Sequence, residues 1–130
     1  MTTKTINIVG KDVTLAYCNA TQIAYKILSG EEIADFFQND VFPAVNAKPP
    51  RMPDTKKTIF LTIAAARTYY DFVEQECPLT DKDLMYNDKA NDLLDALGVI
   101  LELYGKFYQT PAGEPEDDKD EADTANEKNA

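Results

Sequence analysis

Thr5-Ile6-Asn7-Ile8-Val9-Gly10-Lys11-Asp12-Val13-Thr14-Leu15-Ala16-Tyr17 is two alternating runs joined at a glycine. Ile6, Ile8, Val13, Leu15 and Tyr17 recur with the period of two that puts side chains on one strand face. Thr5, Asn7, Thr14 and Ala16 take the other face. Gly10-Lys11-Asp12 is the expected connection, because glycine supports the positive-φ geometry of a tight hairpin turn. A lone hairpin is marginal in water, so its apolar face must rest on helices. The expected fold is α+β: mainly α, with a short hairpin over about residues 4–17 and a small helical bundle packed on it.

Helical signals follow at once. Asn19 with Gln22 three residues on forms a capping-box pattern, and Ile23, Ile27 and Leu28 are the expected apolar stripe of that helix. Gly30 suits the helix end. Ser29-Gly30-Glu31-Glu32 repeats the capping pattern and opens a second helix with Ile33, Phe36 and Phe37, so helix is expected over about 19–39. Four prolines, at 43, 49, 50 and 53, mark residues 43–53 as a linker without regular structure. Lys48, Arg51, Lys56 and Lys57 make its surroundings the most basic stretch of the chain.

A long helix is expected over 55–76, stopped at Cys77-Pro78. Ile59, Ile63, Ala66, Tyr70 and Val73 form one stripe, and Leu61, Ala65, Tyr69 and Phe72 widen it. Arg67, Asp71, Glu74 and Gln75 lie opposite. Thr80-Asp81-Lys82-Asp83 caps the last helical region, 81–109, with Asn87-Asp88 as an interruption or restart. Its stripe is Leu93, Leu97, Ile100, Tyr104 and Phe107, with Leu94, Leu101 and Tyr108 beside it. Residues 1–113 thus read as a single globular domain. Residues 114–130 carry eight acids, two lysines and no large apolar side chain, so they read as a disordered acidic tail. The tail holds −6 of the net charge of −10.

Composition removes most chemistry. The chain of 130 residues has no histidine and one serine, Ser29, so neither imidazole catalysis nor a Ser/His/Asp triad can be assembled. Its five glycines form no phosphate-binding motif. Cys18 and Cys77 make neither a CxxC pair nor a four-ligand set, and read as free, buried small hydrophobes. The expectation is a protein that is not an enzyme, with no cofactor and no metal. An acidic chain does not suit nucleic-acid binding, and no apolar run approaches the ~20 residues of a membrane span. With no signal-peptide pattern at Met1-Thr2-Thr3-Lys4, a cytoplasmic location is expected.

The order of a hairpin (Thr5 to Leu15), a capped helix (Asn19 to Leu28) and a short helix opening at Ser29-Gly30-Glu31-Glu32-Ile33-Ala34-Asp35-Phe36-Phe37 resembles the small tail assembly chaperones of long-tailed bacteriophages. The residue-level likeness covers about a quarter of the chain. The resemblance implies a protein of the bacterial host cytoplasm that binds the tape measure protein, a long and largely helical chain, and helps recruit tail tube protein. Self-association is left open. Two other readings compete: an acidic nucleic-acid mimic, motivated by the net charge, and a generic helical adaptor domain. The candidate partner-binding residues are Tyr69 and Phe72 on the long helix and Tyr104, Phe107 and Tyr108 at the end of the last. For each of them, packing in the core is the alternative.

Overall fold

The computed structural model of the protein describes residues 1–109. The acidic segment 114–130, expected to be disordered, lies outside them. Strands β1 (Thr2–Ile8) and β2 (Lys11–Tyr17) form an antiparallel hairpin in which Ile6 pairs with Val13 and Ile8 with Lys11. That register leaves only Val9 and Gly10 in the turn, one residue earlier than the sequence suggested. Both have positive φ, 54° and 73°, as a two-residue turn of primed type requires. Glycine adopts this freely, whereas a β-branched valine does not. Val9 is anchored there: its N–H donates to Asp92 Oδ2 at 3.2 Å.

Ile8, Val13, Leu15 and Tyr17 are buried as the alternation predicts. Helix α6 (Ala90–Gln109) packs on both strands of the hairpin. Its Leu93, Leu97 and Ile100 are buried, together with Ala96 and Leu103. Ala16, assigned to the polar face, is also fully buried, and its carbonyl accepts the Thr21 hydroxyl at 2.9 Å.

Helix α1 (Asn19–Ser29) starts one residue earlier than expected. Cys18, not Asn19, is the N-cap, because Thr21 reaches back: its Oγ1 accepts the Cys18 N–H at 3.2 Å. Gln22 is thereby released from capping and donates to the Tyr17 and Tyr108 hydroxyls. Gly30 ends α1 in the left-handed conformation, φ 81°, as anticipated. Ser29 serves this same end rather than capping the next helix. Its Oγ donates to the Tyr25 carbonyl and accepts the Glu31 N–H.

Helix α2 (Ile33–Phe36), a π turn (Phe37–Val41) and helix α3 (Phe42–Asn46) follow without a break. The expected linker from Pro43 is corrected here, because residues 43–46 are helical. Pro43 falls at the start of α3, where its missing N–H is tolerated, and the wide π turn precedes it. Irregular chain then runs to Asp54. Asp40 holds it by accepting the Asp54 N–H at 2.8 Å and pairing with Arg51. Lys57 pairs with Glu31, so two of the four basic residues of this stretch are neutralised.

Helix α4 (Thr55–Phe72) is the central element, buried continuously from Leu61 to Ala66. Thr58, Thr62 and Thr68 can be buried there because each hydroxyl donates to the carbonyl four residues back. At its C-terminal half Tyr70 reaches β2, its hydroxyl accepting the Thr14 N–H at 3.1 Å. The helix stops at Phe72, short of the expected Glu76. Glu74 takes a positive φ of 59°, and the Gln75 N–H turns back to the Tyr70 carbonyl. Helix α5 (Asp81–Met85) opens with the expected box: Thr80 Oγ1 accepts the Asp83 N–H and Asp83 accepts the Thr80 N–H. That hydrogen bond and the Lys11 ammonium hold the Asp83 carboxyl below its ordinary range.

Candidate functional site

The five residues proposed from the sequence do not form one site. Tyr104 and Phe107 pack edge-on against buried Tyr17, with ring centroids 5.5 and 5.3 Å away, and Tyr104 also meets Phe37 at 4.5 Å. Burial raises the Tyr104 phenol pKa. Tyr108 is the exposed end of this cluster, 59% accessible, with its hydroxyl held by Gln22 at 2.9 Å. Tyr69 is half-buried beside Tyr70. Phe72 stands apart, 71% exposed at the end of α4.

What surrounds Phe72 is the second finding. Helix α1 does not turn Ile23 and Ile27 inward: they are 61% and 78% exposed. Its core residues are Thr21 and Tyr25. Tyr25 is fixed by stacking on Phe36 and by donating its hydroxyl to Glu31 at 2.8 Å. At about 100° per residue, anchoring positions 21 and 25 rotates 20, 23, 24 and 27 away from the core. Ala20, Ile23 and Ile27 therefore form a second apolar stripe, directed outward, with half-buried Ala24 at its inner edge.

Beside this stripe lies an open groove of about 680 Å³ between α1 and the C-terminal end of α4. Ala20, Ala24, Ile27 and Leu28 form one wall, and Arg67, Thr68, Asp71 and Phe72 the other. Met1 and Cys18 also line it. The surface is apolar with two charges on one side, which suits an amphipathic helix laid along it. Among the described residues no three His, Cys, Asp or Glu side chains converge on a metal position. Cys18 and Cys77 are half-buried rather than fully buried as expected. Burial raises the Cys77 thiol pKa, and its Sγ donates to the Leu79 carbonyl.

No family model, curated protein or solved structure matches this chain. The groove is therefore read from its own geometry. No helix among the described residues is long and apolar enough to cross a membrane.

The sequence reading missed Ile23 and Ile27 as surface residues, although a signal was present. Ala20, Ile23, Ala24, Tyr25, Ile27 and Leu28 span too wide an arc for a helix with one covered face. An arc of that width requires two apolar contacts. The aromatic residue, which has the most area to bury, faces the core.

Proposed function

We propose that this protein is a non-catalytic binding protein that holds an amphipathic helix of a client chain in the α1–α4 groove. The observation that carries this reading is the outward stripe of Ala20, Ile23 and Ile27 beside exposed Phe72. Contiguous exposed apolar surface is a liability in water unless something covers it, and its helical spacing suits a helical ligand. The hairpin and its two following helices resemble phage tail assembly chaperones, whose client is a long helical tape measure protein. In that role the groove shields successive apolar stripes of the client until tail tube protein arrives, and the net charge of −10 keeps the complex in solution.

The test is co-expression with the tape measure protein of a long-tailed bacteriophage, the client class this reading names. The client is expected to become soluble and to co-purify with the wild-type protein, and Ile27→Glu is expected to abolish both while the thermal midpoint stays unchanged. A client whose solubility does not respond, and which does not co-purify, rules out the chaperone role.

A further inference from the structure

The groove wall on α4 carries a charge pair that no other side chain of the described residues pairs with. Arg67 and Asp71 are exposed, one helical turn apart, and neither side chain makes a hydrogen bond or ion pair among the described residues, although both charges act in opposite directions on the Cys77 thiol. Their order explains why they do not pair with each other: a base four residues before an acid is the weaker arrangement on a helix. Asp71 is also badly placed within its own helix. It lies in the last turn of α4, where the carbonyl end of the macrodipole repels an acid, and no basic residue accompanies it in that turn. An opposite charge from outside would relieve both conditions.

We infer that the groove is closed by a second copy of this chain, the two α4 helices lying antiparallel so that Arg67 of each copy pairs with Asp71 of the other. A two-fold interface must be self-complementary, residue i meeting j and j meeting i. A base and an acid about 6 Å apart along one helix meet that condition when the helices run in opposite directions. Phe72 and Ile27 line the same groove as this charge pair, so closing it with a second copy covers both. Exposed Met1 also lines the groove. The arrangement is an aromatic core with a charged margin, the usual anatomy of a specific interface. This inference goes beyond the client reading and requires no client. Where a client exists, it competes with the second copy for the same groove.

The charges permit a test of complementation. Sedimentation equilibrium of the full chain, from micromolar to millimolar, is expected to show a monomer–dimer equilibrium. R67D and D71R each place like charges opposite one another at two symmetric positions. Each is expected to weaken dimerisation at least ~10-fold when alone. An equal mixture of the two restores opposite charges at both positions and is expected to recover a dimer containing one of each. Phe72→Ser is expected to weaken the dimer without being rescued by either partner. Circular dichroism and thermal melts check that the fold is retained, which the exposure of all three residues favours. A wild-type chain that stays monomeric throughout overturns the inference. So does a dimer that survives both charge reversals, or a mixture that behaves like its components.

Discussion

Helices α6 and α1 carry apolar residues at the same spacing but use them in opposite ways. On α6 the stripe Leu93, Leu97, Ile100 lies buried on the hairpin. On α1 the matching residues Ile23 and Ile27 face outward, and Thr21 and Tyr25 hold the helix to the core. The difference comes from what anchors each helix. Helix α6 packs along both strands with aliphatic side chains. Helix α1 is tied by a hydroxyl to the end of β2 and by a phenol to Glu31, which sets its rotation and leaves its isoleucines free. A stripe of isoleucines therefore marks the core only where nothing larger or better hydrogen-bonded competes for the inward position.

The largest contrast is in stability. Ile100→Ala removes a fully buried side chain and is expected to cost about 2–5 kcal/mol in urea denaturation. Ile27→Ala is expected to change stability by no more than about 0.5 kcal/mol. Comparable losses from both would show that α1 is packed like α6, and the groove reading would fail.

A second contrast is in alkaline pH. Burial raises the pKa values of the Tyr17 and Tyr25 phenols. The stability this represents is fully present below the ordinary phenol pKa of about 10 and is lost as pH rises through the raised folded-state values. Within that window the unfolded chain ionises first. Stability should then fall with pH, and Tyr17→Phe or Tyr25→Phe should each flatten the fall. A decline that neither variant alters would place these phenols in water.

At neutral pH, Tyr25→Phe tests the anchor of α1 itself. Losing the hydrogen bond to Glu31 is expected to cost about 1 kcal/mol. A neutral result would mean that packing on Phe36 alone sets the rotation of α1.

Local patterning carried much of the fold. The hairpin, the end of α1 at Gly30, the cap at Thr80 and the stripe of α6 are all legible, because each is decided by neighbours in sequence. The misreadings arise where distant contacts or backbone geometry decide. The Asn19 cap lost to Cys18 because Thr21 also bonds the Ala16 carbonyl. Residues 43–46 became helical because a π turn accommodates the proline. The end of α4 was set by a left-handed glutamate that no composition signal marks. Of the five candidate binding residues, only Phe72 lies in the groove. The other four were nominated for their aromaticity, a property shared by core and surface. The groove charges were noted in the sequence only as the polar side of a helix, since their lack of a side-chain ion-pair partner becomes visible only in three dimensions.

The most direct test of the central claim sets the two exposed regions against each other. The tape measure protein of a long-tailed bacteriophage is co-expressed with the wild-type protein, with Ile27→Glu and with Tyr108→Ala, and the amount that co-purifies is measured. Capture that is lost with Ile27→Glu and kept with Tyr108→Ala is the predicted result. Capture that survives Ile27→Glu and disappears with Tyr108→Ala would contradict the account and move the binding surface to the end of α6.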